Sequence, residues 1–170
     1  MRSKPMFEIP SDLSPELVAL AWMRGRWVGE GHGEWPGVGK FEFGQQVEFT
    51  DNGGDYLHYM SQTWELDEKR QPKSARSMET GFWRPQRDGT VEVVMCHPEG
   101  YSEIWFGNIT GARVDLTTDA VARTRTAMAY TGGTRLYGQV EGDLMYAFDR
   151  QTEEHQLQPY MWARLKKVAQ

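Results

Sequence analysis

From Gly25 onward apolar and polar residues alternate with period two. Lys40-Phe41-Glu42-Phe43 and Val47-Glu48-Phe49 put apolar side chains on one face and charged ones on the other, the pattern of a half-buried antiparallel strand. Turn signals interrupt the alternation at Asp51-Asn52-Gly53-Gly54, Arg87-Asp88-Gly89, Pro98-Glu99-Gly100, Gly132-Gly133 and Glu141-Gly142-Asp143. The strands so delimited fall near residues 26–33, 40–50, 55–66, 76–84, 90–96, 101–109, 112–118, 122–131, 134–140 and 143–149, with a last one near 157–167. The period changes once, before Gly25. There Leu17, Leu20 and Ala21 follow Ser14 as N-cap and Pro15 at the first helical position, which predicts one short helix ending by Gly25.

Consecutive hairpins predict an up-and-down meander. About ten strands with so little helix close most readily into an antiparallel β-barrel, because closure removes exposed edges. A two-sheet sandwich satisfies the same pattern and is the competing architecture. Gly29, Gly31 and Gly33 leave one face of the first strand bare, with Trp27 on the same parity. Glycine inside a strand is costly unless the chain bends sharply or another group approaches closely, and a small barrel requires both. The helix then plugs one barrel end. Residues 1–12 are expected to form a flexible arm and residues 13–170 a single barrel domain.

At 170 residues the chain suits one hydrophobic core, to which seven Trp, seven Tyr and seven Phe bring large apolar bodies. A formal charge of -5 gives no broad positive field, so no nucleic-acid partner is expected. Neither a membrane span nor a signal peptide is visible, and the expected location is cytoplasmic. One cysteine, Cys96, excludes an internal disulfide.

Four ordered motifs carry a resemblance: Gly25-x-Trp27-x-Gly29-x-Gly31, Trp35-Pro36, Gly81-Phe82-Trp83-Arg84-Pro85 and Leu157-Gln158-Pro159. Over residues 17 to 167 the chain resembles the nitrobindin family. The resemblance implies a ten-stranded barrel similar to that of fatty-acid-binding proteins, with a pocket at one open end. It also implies ferric haem b in that pocket, nitric oxide binding and conversion of peroxynitrite to nitrate. Three positions depart from the family pattern, and all fall on the haem crevice. The axial histidine is replaced by Tyr160, a second histidine by Ser77, and the threonine after the Pro by Gly37.

Imidazole binds haem iron as a neutral ligand, whereas a phenol binds mainly as phenolate after losing a proton of reference pKa about 10. Tyr160 can ligate ferric iron with an arginine nearby, and Arg164 shares its parity if the strand is regular; otherwise it is a hydrogen-bonded phenol. His155 reads as a loop histidine after Glu153-Glu154, His32 as facing away from the glycines, and His58 as a surface or pocket histidine. Cys96-His97 reads as a turn, and no ligand spacing for zinc or other metal exists. The glycine run lacks the Lys-Ser/Thr ending of a phosphate loop. Glu30, Glu34, Glu92 and Glu103 read as the wet face of strands, and Glu79 with Arg84 as structural partners near the wall.

Arg123 and Arg125 share a strand face and, if inward, suit a carboxylate. The pocket is expected to draw on Gly37, Ser77, Met78, Met95, Trp105, Met128, Met145, Tyr160 and Trp162, chosen by strand position. Three readings of function stay open. The leading one is a barrel binding a small hydrophobic ligand, with the usual haem chemistry lost or altered and no cofactor required. The second is a haem b protein acting as peroxynitrite isomerase through Tyr160. The third is a ligand-free interaction module, for which a homodimer is one partner.

Overall fold

The computed structural model describes residues 12–169. Its strands are β1 (Gly25–Trp35), β2 (Gly39–Thr50), β3 (Leu57–Leu66), β4 (Pro72–Pro85), β5 (Thr90–His97), β6 (Tyr101–Ile109), β7 (Arg113–Arg123), β8 (Tyr130–Val140), β9 (Asp143–Thr152) and β10 (Gln158–Lys167). They form a closed barrel in which each strand pairs antiparallel with its chain neighbours and β1 pairs with β10. The barrel, not the sandwich, is the architecture. No helix among the described residues is long and apolar enough to cross a membrane. The expected arm lies almost wholly outside the described residues.

The expected helix forms as a 3-10 helix, Pro15–Met23. Its buried residues explain the choice: Leu17, Leu20 and Met23 recur every third residue, and three residues per turn stack them on one ridge, all 0 % exposed. Ser14 stands at the N-cap position as expected, but its side chain makes no capping hydrogen bond. Its hydroxyl goes to Glu16 and Asp55 instead, tying the start of the helix to the β2–β3 connection. The ridge joins Trp27, Phe49, Leu57 and Trp83 in the core and closes the barrel end at which β1 begins. Trp27 fixes this contact by donating its indole N–H to the Met23 carbonyl at 2.9 Å.

The bare glycine face of β1 is filled from β2. A methyl group at Gly31 would lie 2.3 Å from the Phe43 ring, and one at Gly33 2.2 Å from the Phe41 ring. The glycines let these rings lie flat on the backbone. In the second half of the chain the strand limits differ from expectation. The expected strands near 112–118, 122–131 and 134–140 are two, β7 and β8, with residues 124–129 as the connection. Gly132-Gly133, expected to turn, lies inside β8 beside a register shift, where a methyl group at Gly133 would sit 2.3 Å from the Asp149 carbonyl oxygen. The glycines serve close strand approach there rather than reversal.

Two more register shifts govern the open end. Between β3 and β4, Thr63 faces Ser77 and Trp64 faces Ala75, so Arg76 is an extra residue. Between β10 and β9, Pro159 faces Asp149 and Met161 faces Phe148, so Tyr160 is extra. Such bulges bend a strand and re-aim one side chain.

Candidate functional site

The barrel end remote from the helix, where β1 finishes at Trp35, holds a cavity of about 200 Å³. Bulges supply two of its side chains. Arg76 and Ser77 are consecutive and both line it, as are Tyr160 and Met161, which period-two alternation forbids and an extra residue permits. Arg76 donates to the Tyr160 hydroxyl at 3.0 Å and lies over the Phe41 ring at 4.5 Å. Arg150, from β9, lies over the Tyr160 ring at 3.6 Å and the Trp35 ring at 4.1 Å. The Tyr160 ring also meets the edges of Trp35 and Phe148.

Below this lies a charged floor. Arg135 of β8 binds Glu79 of β4 with both terminal nitrogens, at 3.0 and 2.8 Å, and donates to the Tyr137 hydroxyl at 3.1 Å. Tyr59 donates to Glu79 at 3.2 Å. His97 Nε2 is 2.9 Å from Glu103 Oε1 and its Nδ1 is 3.9 Å from Glu79. The His97 ring stacks on Tyr101, which stacks on Tyr130. Burial by itself raises the Glu79 pKa, but the Arg135 charge, His97 and the hydrogen bonds outweigh it and hold the carboxyl below its ordinary value. Burial by itself lowers the Arg135 pKa, and Glu79, with Tyr137 and Tyr59, more than reverses that. Arg150 goes the other way: burial lowers its pKa, and Tyr160 and Tyr101 only partly oppose it.

The residues chosen from the sequence divide sharply. Ser77, Met78, Met128 and Tyr160 line the cavity together. Met95 and Trp105 are fully buried in the core but do not line the cavity. Met145 and Trp162 face outward, Trp162 stacking on His32 outside the wall, and Gly37 sits in the β1–β2 turn with open space around it. Arg123 is outside, paired with Glu153 at 2.6 Å, and Arg125 is exposed in the β7–β8 connection, so this pair does not face the interior. Arg164 is also outside, on Asp143 and Glu141, because the bulge at Tyr160 inverts the parity between them. Gly25, at the start of β1, adopts φ +121°, and Gly29 and Gly31 follow on the inward face with Trp27.

The functional residues missed are charged ones on inward faces. Glu103 is not on a wet face: its side chain is 0 % exposed, between Tyr101 and Trp105 on the same side of β6. His97 ends β5 pointing inward rather than marking a turn. Glu79 pairs with Arg135, whereas Arg84 is outside on Glu92. Parity carried the signal for three of these. Glu103 alternates with Tyr101 and Trp105, His97 with Met95, and Arg150 with Leu144, Tyr146 and Phe148. Arg76 had no such signal, since a bulge sets its direction. His155 packs edge-on to Trp35 at the rim, and His58 bonds Thr80 outside. No group of three or more His, Cys, Asp or Glu among the described residues is arranged to hold a metal ion.

Residues 16–167 match the family model of a THAP4-like, heme-binding beta-barrel domain. A ferric nitrobindin-like protein of Cutibacterium acnes is 60% identical over 163 residues, covering 95% of this chain and 98% of that protein. A peroxynitrite isomerase of Nocardioides sp. is 43% identical over 159 residues, covering 94% and 97%. The crystal structure of Rv2717c from M. tuberculosis superposes with a TM-score of 0.82 at 30% identity, covering 92% of this chain and 99% of that one. The glycine-tracked ten-strand barrel and these likenesses over nearly whole chains lead to one assignment: the chain belongs to the nitrobindin family.

Proposed function

We propose that this chain is a nitrobindin-type barrel whose end cavity binds a small molecule in place of histidine-ligated haem. The observation that carries the reading is Tyr160, a phenol whose oxygen accepts from Arg76 and whose ring is covered by Arg150. Size supports it. A cavity of about 200 Å³ falls below the roughly 300–1,000 Å³ of sites for drug-sized ligands, and a tetrapyrrole is larger than those. Ser77, at the second position where the family pattern has histidine, gives its hydroxyl to Glu99 at 2.6 Å. The residues present offer haem no axial histidine. The isomerase activity in some relatives' names is therefore not carried to this chain, and Met128, Phe148 and Met161 offer apolar contact to a smaller guest.

One contact favours a competing reading in which Tyr160 ligates ferric haem: the Arg76 guanidinium on its oxygen would stabilise a phenolate. Titration of the purified protein with ferric haem, followed by absorbance, separates the two. Weak, broad, non-saturating absorption is expected. A sharp saturable Soret band that disappears in Tyr160→Phe would replace the small-molecule reading with the haem one.

A further inference from the structure

Two arginines of the cavity wall carry charge with no counterion. Arg150 is 8 % exposed, its Nε is buried without an acceptor, and its Nη1 reaches only the Met128 sulfur at 3.9 Å. Arg76 has the Tyr160 hydroxyl at 3.0 Å and the Met161 sulfur at 3.4 Å as its polar contacts. Among the described residues no carboxylate forms an ion pair with either. The contrast is Arg135, 5 % exposed and held by Glu79 in two-point fashion. A guanidinium taken out of water is strongly penalised unless an anion restores its interactions, and stacking on aromatic rings restores only part of them.

The fold goes out of its way to build this arrangement. Bulges in two strands turn Arg76 and Tyr160 inward, and β9 brings Arg150 onto the same phenol, so both guanidinium groups converge on Tyr160 at the cavity. One acidic group on the wall must also be accommodated. Glu99 Oε1 accepts from Ser77, while its Oε2 is buried without a partner. A ligand with negative charge alone would meet this carboxylate unfavourably. One that also presents a hydrogen-bond donor would satisfy it.

We propose that Arg76, Arg150 and the Tyr160 hydroxyl bind the acid group of a small carboxylate, and that Glu99 selects one carrying a hydroxyl or ammonium donor. The site is built for two-point recognition of the acid group by guanidinium. The inference rests on the reading that the cavity holds a small molecule rather than haem.

The test uses haem-free protein, glycolate and acetate as probes at constant ionic strength, and calorimetric titration with thermal unfolding. Saturable glycolate binding, tighter than acetate, is expected. Arg150→Met and Arg76→Met should each weaken it about ten- to hundred-fold, the loss of a charge-assisted hydrogen bond, while Arg113→Met on the outer surface changes nothing. Glu99→Leu should remove the preference for glycolate over acetate. Without ligand, Arg150→Met should raise the unfolding midpoint, because it removes an unpaired buried charge; a lower midpoint would assign the arginine to structure instead. No saturable glycolate binding, or equal binding by both arginine variants and the parent, overturns the site, and equal affinity for the two acids overturns the role of Glu99. If glycolate fails and haem also fails to bind tightly, the small-molecule barrel stands without this ligand class. Tight haem binding sinks the underlying reading by itself.

Discussion

A methyl group at Gly81 would sit 1.8 Å from the Val94 carbonyl oxygen and 2.9 Å from the Met95 Cα, whereas at Gly31 it would meet the Phe43 ring at 2.3 Å and backbone, the Trp162 carbonyl oxygen, only at 2.9 Å. A ring can rotate away; a backbone held in a ladder cannot. Gly81→Ala is therefore expected to destabilise by at least about 3 kcal/mol, at or above the top of the roughly 1–3 kcal/mol range for overpacking, and Gly31→Ala by less. Urea unfolding midpoints at constant slope measure both, and a Gly81→Ala midpoint equal to the parent would refute the close-approach account. Charged residues obey the same local geometry. Glu103 and Arg150 are interior because they alternate with aromatic residues, so their facing could be read from parity alone. Their partners could not, because Glu103 meets His97 across a hairpin and Arg150 meets Tyr160 across a strand pair whose register shifts.

At the scale of elements, the plug and the bulges divide the barrel between them. The 3-10 helix fills one end with a ridge of Leu17, Leu20 and Met23, each fully buried. Leu20→Ala should cost about 2–5 kcal/mol, and because the ridge packs far from Tyr160, glycolate affinity measured below the unfolding transition should not change. Loss of affinity in parallel with stability would show that the two ends are coupled. The sequence announced the helix through Ser14-Pro15 but not its winding, which follows from the period-three ridge it must bury. At the other end the extra residues Arg76 and Tyr160 break the strand alternation at the cavity. An inserted residue leaves no mark in a hydrophobic pattern, so reading β10 as regular put Arg164 on the same face as Tyr160. The actual neighbours are Arg76 and Arg150.

For the whole molecule, the buried Glu79–Arg135 pair ties β4 to β8 through the barrel interior and makes stability depend on acid. Glu79 titrates below its ordinary 4.5 when folded, so its contribution is complete above about pH 4.5 and is lost as pH falls through the lower folded-state value. Glu79→Gln should flatten that acid limb of the unfolding midpoint against pH. It should also lower stability at pH 7 by about 3–5 kcal/mol, because Arg135 would remain buried without its anion. An unchanged acid limb would show that other carboxylates dominate. The alternation, the turn signals and the glycine track determined by themselves an antiparallel meander of about ten strands with one short helix, since side-chain parity and backbone conformation are local properties; that it closes into a barrel rather than a sandwich was decided by the pairing of β1 with β10. The four motifs likewise sufficed to reveal the family. The contents of the cavity were decided only in three dimensions. Strand register sets which charges meet across the barrel, and two bulges turn Arg76 and Tyr160 toward a third strand's arginine. Neither register nor bulge is encoded in a pattern of period two.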